Sequence, residues 1–186
     1  MKHPHPCSKQ RKRPLTHHPK DKRDKKSRKR WHTTNEAFRC HHCQQMVFPA
    51  EQIGTTQRNH CPHCLWSCHV DTKPGNRAST CHGGMKPVGL TFKHHGFDKY
   101  GRTRTGDVML VHHCHGCGAI NLNRIAGDDC LAKLFDIFDR SETLGPPLLR
   151  KLSEQAICLL TRTDSDRLHQ AIYGKSFRPD SLTRAP

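Results

Sequence analysis

The chain has 186 residues, of which 33% are hydrophobic and 6% aromatic, and its formal net charge is +16. Ordinary globular chains are roughly 45–50% apolar by a slightly different count, so this composition excludes a large apolar core. It favours a small fold that metal ions or disulfides hold together. We expect no membrane span, because no apolar run approaches the roughly 18 residues needed, and no signal peptide.

Residues 1–35 are predicted to form a basic arm. They contain 13 Lys and Arg against two Asp, which places +11 of the +16 net charge there. With four prolines and few large apolar side chains, the arm is expected to be disordered on its own. Such arms bind polyanions by displacing counterions, although a solubilising or targeting segment is the alternative. The predicted nucleic-acid contacts in the arm are Lys25, Lys26, Arg28, Lys29 and Arg30.

Two Cys-x-x-Cys turns follow the arm: the first knuckle (residues 40–43) and the second knuckle (residues 61–64). Cys40 and Cys43 can bind one ion, and Cys61 with Cys64 completes a tetrahedral ligand set. The 17 residues between the knuckles are enough for a short β-hairpin, as in a zinc ribbon. An odd count of 11 cysteines favours thiolate-bound zinc in a reducing cytoplasm over disulfides.

A third knuckle (residues 114–117) and a separate cysteine indicate a second zinc ion. The predicted ligands of that ion are His69, Cys81, Cys114 and Cys117. His82 or Cys68 can replace His69 as the fourth ligand. A cross-brace also remains open, in which the first and third knuckles share one ion and the second knuckle joins Cys81 and His69.

The remaining pattern predicts short strands followed by helices. Residues 88–92 and 107–111 indicate two strands, joined by a polar loop that contains Arg102 and Arg104. From residue 121 the chain is predicted to be helical, with Asp128 or Asp129 capping a helix that extends past residue 138. Residues 145–147, Gly-Pro-Pro, are expected to break that helix. A second apolar stripe covers residues 148–160, and residues 164–173 indicate a third short helix.

Residues 58–62 read Arg-Asn-His-Cys-Pro, and the chain resembles the bacterial RNHCP domain family at this motif. Further similar segments follow in order, at residues 61–67, 69–71, 73–75, 81, 114–117 and 121–126. The resemblance covers roughly residues 36–130. Position 68 is Cys where the family pattern has a basic residue, so Cys68 is not implied as a shared ligand. The resemblance implies zinc binding by a small cytoplasmic domain and implies no biochemical role.

Catalytic templates are missing from the sequence. It has no Gly-rich phosphate loop and no His-Glu-x-x-His pair, and residues 61–64 place proline inside the knuckle rather than before it, unlike cytidine deaminases. A zinc ion with four protein ligands also has no open position for water. We therefore predict that the protein is not an enzyme.

These observations predict a small α+β zinc-stabilised domain with zinc-ribbon-like knuckles and β-hairpins. The predicted divisions are a disordered basic tail at 1–35, a double zinc-binding domain at 36–127, a helical extension at 128–175 and a frayed end at 176–186.

The predicted function is RNA binding, with ribosome association, through the arm and the surface of the knuckles. Arg58, Arg102 and Arg104 are candidate contacts there, and Trp66 or Tyr100 can stack on bases. DNA fits the charge equally well, but no long recognition helix stands out. The alternative is a zinc- or thiol-handling or protein-interaction module without nucleic acid, and a metal-dependent enzyme ranks last.

Overall fold

The computed structural model describes residues 37–49, 58–93, 99–101 and 106–174. The predicted basic tail and the predicted frayed end lie outside the described residues. Two antiparallel sheets and three short helices make up the described part, which confirms the α+β class.

The strands divide between a two-stranded and a four-stranded sheet, both antiparallel. β1 and β2 form the small sheet, and the large sheet has the order β3-β4-β5-β6. The strands are β1 (Phe38–Arg39), β2 (Met46–Val47), β3 (Ser67–Cys68), β4 (Gly84–Phe92), β5 (Val108–Cys114) and β6 (Ile120–Arg124). The helices are α1 (Leu131–Arg140), α2 (Pro146–Glu154) and α3 (Ser165–Tyr173).

The first and third knuckles each lie at the tip of a β-hairpin. β1 and β2 flank the first knuckle, and β5 and β6 flank the third, so each metal-binding turn is the tip of a hairpin. A hairpin is predicted in the 17 residues between the first two knuckles, and residues 50–57 of these lie outside the described part of the chain. The tight Cys-x-x-Cys turn reverses the chain by itself, and the flanking residues then pair.

The helix predicted from residue 121 is wrong, because this segment is strand β6. Its residues pair with β5 from Met109 opposite Arg124 to His113 opposite Ile120. The amide nitrogen of Asn123 lies 3.1 Å from Nδ1 of His112, which is buried. Partners on β5 therefore override the local helical pattern, as tertiary contacts commonly do.

Helix α1 begins at Leu131, after an N-cap residue, Cys130, that makes no side-chain capping bond. The predicted caps Asp128 and Asp129 instead bind side chains of another segment, described below. The buried face of α1 packs against the large sheet in one core. The buried core residues are Leu65, Leu90, Val108, Leu110, Leu134, Ile137, Phe138, Leu160 and Leu168.

Gly-Pro-Pro at residues 145–147 begins α2 and does not end α1, which already ends at Arg140. Gly145 is the N-cap, and proline suits the first turn of a helix because the amides there have no intrahelical acceptor. The predicted stripe to residue 160 is interrupted after Glu154, since Ala156 has a φ of 54°. None of the described helices has the length and apolar character needed to cross a membrane.

After α2 the chain lies beside β4. The backbone amide of Leu160 donates to the carbonyl of Leu90 at 2.8 Å, and the hydroxyl of Thr91 donates to the carbonyl of Cys158 at 2.6 Å. β3 pairs with β4 only at Gly84 and Met85. Residues 158–160 therefore cover the edge of β4 that β3 leaves open, and the sheet and helices share one core across the predicted boundary at 127/128.

Candidate metal centre

The three knuckles have the same backbone hydrogen bonds. In each one, the amide four residues after the first cysteine donates to the carbonyl of that cysteine, at 2.8–2.9 Å. The amide of the first cysteine donates to the carbonyl five residues later, also at 2.8–2.9 Å. The donor–acceptor pairs are Gln44–Cys40 and Cys40–Gln45, Leu65–Cys61 and Cys61–Trp66, and Gly118–Cys114 and Cys114–Ala119. Residues of very different sequence thus form one repeated turn.

The residue after each knuckle adopts a left-handed backbone. The φ angles are 63° at Gln44, 61° at Leu65 and 71° at Gly118. Glycine reaches this region without a steric penalty, whereas side chains such as those of Gln44 and Leu65 rarely do. Glycine provides this conformation in the third knuckle, at Gly118, and the same turn forms twice without glycine.

The first cluster consists of Cys40, Cys43, Cys61 and Cys64, and all four sulfur atoms lie within 4.8 Å of one another. The sulfur of Cys40 is 3.5 Å from that of Cys64, and the sulfur of Cys43 is 3.5 Å from that of Cys61. A tetrahedral zinc ion with Zn–S bonds of about 2.3 Å has sulfur atoms about 3.8 Å apart. These distances are too long for a disulfide and suit four thiolates around one zinc ion.

The second cluster consists of His69, Cys81, Cys114 and Cys117, with ligand atoms again within 4.8 Å of one another. The sulfur atoms of Cys81 and Cys114 are 3.7 Å apart, and Nδ1 of His69 lies 3.2 Å from the sulfur of Cys117. Three thiolates and one imidazole are a common ligand set for structural zinc. Each of the two clusters can therefore hold one zinc ion, as predicted.

Glycines line the second cluster. A Cβ atom on Gly83 would lie 3.0 Å from the sulfur of Cys114 and 3.3 Å from that of Cys81. A Cβ atom on Gly116 would lie 3.1 Å from the sulfur of Cys81. Because Gly83 and Gly116 have no side chain, their backbones can approach the ligand atoms closely, as a compact metal site requires.

The pKa of one thiol in each cluster is lowered by backbone amides. Burial works against ionisation of Cys43, but hydrogen bonds from the amide of Gln45 and from neighbouring thiols lower its pKa. Burial likewise opposes ionisation of Cys114, and the amides of Cys117 and Gly116 lower its pKa to about 7. Burial raises the pKa of Cys61 to about 11. The amides thus favour the thiolate, the form in which sulfur binds zinc.

The structure contains the ligand grouping that was preferred from spacing, so the cross-brace between the first and third knuckles is wrong. His82 is exposed and lies outside both clusters. Cys68 also lies outside them, with its thiol 3.4 Å from the carbonyl oxygen of His82. His69 takes the fourth position because its backbone amide donates to the carbonyl of Gly83 at 2.9 Å, next to the thiols of the cluster.

Arg58, the first residue of the Arg-Asn-His-Cys-Pro motif, is buried and forms an ion pair with an aspartate at the surface. Its side chain is 1% exposed and donates two hydrogen bonds to the carboxylate of Asp128, one of them at 2.7 Å. Burial would raise the pKa of Asp128, but the hydrogen bonds and charge of Arg58 lower it. The predicted nucleic-acid contact at Arg58 is therefore wrong, since the guanidinium is enclosed and already paired.

His60, two residues after Arg58, contacts Asp129, the residue after Asp128. Its Nε2 lies 2.9 Å from both carboxylate oxygens of Asp129, whose side chain is fully buried. The backbone carbonyl of Pro62 accepts from the amide of Cys130 at 2.9 Å. Three positions of the motif thus attach the second knuckle to the turn that precedes α1.

Asn59 binds a third carboxylate. Its amide donates to Asp71 at 3.1 Å, and the other carboxylate oxygen of Asp71 accepts from the backbone amide of Arg77 at 2.6 Å. Sequence reasoning identified the motif but missed its three acidic partners. An Asp pair just before an apolar helix is also the usual pattern of a helix cap, so the sequence offers no separate indication of this role.

The other predicted nucleic-acid contacts lie outside the described residues. This applies to the five residues of the arm and to Arg102 and Arg104. Of the two predicted stacking residues, Tyr100 is 71% exposed, while Trp66 is half-buried beside the first knuckle.

The family model of the RNHCP domain matches residues 35–135, which is more than half of the chain. That range contains both clusters and the three carboxylates that bind the motif. Neither a curated protein nor a solved structure matches the chain. With the motif, its partners and the metal ligands all inside the matched range, the chain belongs to the RNHCP domain family.

Proposed function

We propose that this protein is a zinc-stabilised RNA-binding protein of the bacterial cytoplasm that associates with the ribosome. The observation that carries the proposal is the charge of residues 1–35, which supply +11 of the net +16. The local sequence Lys-Lys-Ser-Arg-Lys-Arg-Trp at residues 25–31 is denser in charge than solubility requires. Counterion release from a phosphate backbone gives such a segment its affinity.

The metal clusters support a structural role for zinc. Each cluster supplies four protein ligands, which leaves no position for a water nucleophile or a substrate. On this basis we propose no catalytic activity. The zinc ions would stabilise the small domain that follows the arm in the sequence. RNA is preferred over DNA because α1, α2 and α3 have at most ten residues each and α1 is committed to the core.

The test compares RNA affinity as a function of salt for the full zinc-loaded chain and for a variant whose arm carries five fewer positive charges. Changing Lys25, Lys26, Arg28, Lys29 and Arg30 to Gln keeps the length of the arm. We expect affinity for a labelled RNA stem-loop to fall at 100 mM KCl and the salt slope to lose roughly 0.7–0.9 per phosphate contact removed.

The matched control exchanges Lys for Arg, and Arg for Lys, at the same five positions. This variant keeps every charge and is expected to bind as the wild type does. Unchanged affinity in the Gln variant would contradict the role of the arm. Equal losses in both variants would show that side-chain identity rather than charge decides binding.

Ribosome association is tested by sedimentation. The full chain is expected to pellet with ribosomal particles at physiological salt, and a smaller fraction of the five-Gln variant is expected to pellet with them. A chain that binds the isolated stem-loop but never pellets with ribosomes would restrict the proposal to RNA binding.

A further inference from the structure

A cleft of about 340 Å³ opens where the first two knuckles meet β4 and α1. His42 and Trp66 line it from the knuckles, and Lys86 and Lys133 line it from β4 and α1. Its volume falls at the lower end of the range for ligand sites, about 300–1,000 Å³. None of these four residues is a metal ligand, so they are available for other chemistry.

One wall of the cleft is a stack of two aromatic rings. The rings of His42 and Trp66 lie 4.1 Å apart with an interplanar angle of 8°, and the ring of His115 meets Trp66 edge-on at 5.2 Å. His42 belongs to the first cluster's turn and His115 to the second cluster's turn. Trp66 thus has its orientation fixed from both metal sites, so that little conformational freedom remains to be lost when a ligand stacks there.

The other walls carry positive charge. Lys86, Lys133 and Arg140 line the cleft together with a single carboxylate, Asp136, and with Cys64, a ligand of the first cluster. Asp136 is already paired with Arg140 at 2.7 Å. Within the described ranges, Lys86 and Lys133 are exposed and form no ion pair. Two ammonium groups therefore face the cleft without an anionic partner in the part of the chain that the structure describes.

We infer that this cleft binds an unpaired base of single-stranded RNA, with the base against the His42–Trp66 stack and the adjoining phosphates at Lys86 and Lys133. This inference rests on the proposed function and adds to it a specific contact that the arm does not supply. An aromatic wall accepts the flat face of any base, and flanking ammonium groups neutralise phosphate, which is the usual combination for single strands. Double-stranded RNA presents no free base face and does not fit.

Fluorescence of Trp66 tests the contact directly. The chain has two tryptophans, and Trp31→Phe in the full zinc-loaded protein leaves Trp66 as the only one. A single-stranded ten-nucleotide RNA is titrated, and so is an abasic oligonucleotide with the same number of phosphates. We expect saturable quenching by the RNA alone and about fivefold to tenfold tighter binding of the RNA than of the abasic strand.

Two variants with matched controls separate stacking from charge. His42→Ala removes half of the aromatic stack, and His63→Ala removes the exposed histidine at the equivalent position of the second knuckle, away from the cleft. Lys133→Ala removes one ammonium group of the cleft, and Lys93→Ala removes an exposed one elsewhere. We expect His42→Ala to weaken RNA binding about fivefold, and Lys133→Ala to reduce the salt slope by about 0.7, with both controls unchanged.

The outcomes distinguish this inference from the proposed function. RNA binding without quenching of Trp66, with equal affinity for the abasic strand, would show that the cleft binds no base. The arm would then be the RNA-binding element. Equal effects of His42→Ala and His63→Ala would overturn the cleft as well. Failure to bind either oligonucleotide would overturn both proposals together.

Discussion

The two metal clusters lie in regions with very different apolar support. The first cluster lies in a knuckle lobe, residues 37–49 and 61–64, whose buried apolar cluster consists of Cys40, Val47 and Cys61. The second cluster lies at one end of a sheet body, residues 67–93 and 106–174, which has nearly all of the main core. The same chemistry therefore has two roles. In the lobe, zinc binding is the main source of stability because the apolar cluster is small. In the body, zinc binding holds the turns in place beside an apolar core that does not include the metal ligands.

Removing a ligand of the first cluster should change the protein most. We expect Cys43→Ser to lose one zinc ion and all hydrogen-exchange protection in residues 37–49, while β4 and β5 remain protected. Structural zinc contributes about 10–16 kcal/mol to the folding of small domains. Buried apolar side chains supply only about 1.5–3 kcal/mol each, so three of them cannot compensate.

Native mass spectrometry and hydrogen exchange check this prediction. Cys158→Ser is the control, because Cys158 is exposed and outside both clusters, and it should keep two zinc ions. If residues 37–49 stayed protected in Cys43→Ser, the lobe would have a source of stability other than metal.

The next largest effect concerns the joint between the lobe and the body, which we define as the contacts of Arg58 and His60 with Asp128 and Asp129. Asp129→Ala leaves His60 without its carboxylate in a buried site, and Arg58 loses a nearby charge at 4.0 Å. Breaking a buried ion pair from one side costs about 3–5 kcal/mol. We expect a loss of that order in denaturant unfolding of the zinc-saturated protein.

An exposed pair provides the control for the joint. Asp136→Ala removes the partner of Arg140, whose side chain is 62% exposed, and surface pairs contribute about 0–1 kcal/mol. Equal losses in Asp129→Ala and Asp136→Ala would show that the buried pair is not a joint.

The second cluster can be weakened without removing a ligand. Gly83→Ala places a methyl group 3.0 Å from the sulfur of Cys114. Overpacking of this kind costs about 1–3 kcal/mol, which is roughly a fivefold to 150-fold loss of zinc affinity. Competition with a chelator should show one weakened zinc ion and one unchanged. Gly145→Ala, which has only an ordinary contact at 3.7 Å, is the control, and loss of both ions would contradict the separation of the clusters.

The smallest effect is a pH dependence that comes from His112. Burial, and then the charge of His60, lowers the pKa of His112 to about 3, so the folded protein keeps it neutral. Its Nε2 lies 2.7 Å from the carbonyl oxygen of Leu65. In the unfolded chain the pKa is about 6.5. This contribution to stability is therefore complete above pH 6.5 and is lost as the pH falls toward 3.

Between pH 7.5 and 5.5 the loss amounts to about 1.4 kcal/mol. His112→Gln should be less stable than the wild type but should lack this part of the pH dependence, measured by denaturant unfolding with saturating zinc. His63→Gln, at an exposed position, should keep it. Identical pH dependence in wild type and His112→Gln would show that thiol protonation alone accounts for the loss.

Sequence spacing predicted the ligands well because the chemistry is local. Cysteines two residues apart can only form a tight turn, and three such turns with Cys81 leave few groupings. His69 was harder to choose over Cys68 and His82, since the fourth ligand depends on how β3 pairs with β4.

Long-range partners could not be predicted from one sequence. Arg58 seemed to be a surface cation, and only the fold brings Asp128, 70 residues away, to it. Strand β6 was missed for the same reason, because Asn121 donates to the carbonyl of Asp71 and Asn123 lies beside His112 of β5. The sequence shows that a residue is polar, but it does not show whether that residue is buried or which residue it binds, because both depend on the fold.

Two closed four-ligand clusters are expected to hold one zinc ion each. Native mass spectrometry of the full chain, purified without added metal, counts these ions. We predict a mass that corresponds to two zinc ions per chain, with no mass loss from disulfides. A chain with one zinc ion or none, or one that is lighter by two protons for each disulfide, would contradict it.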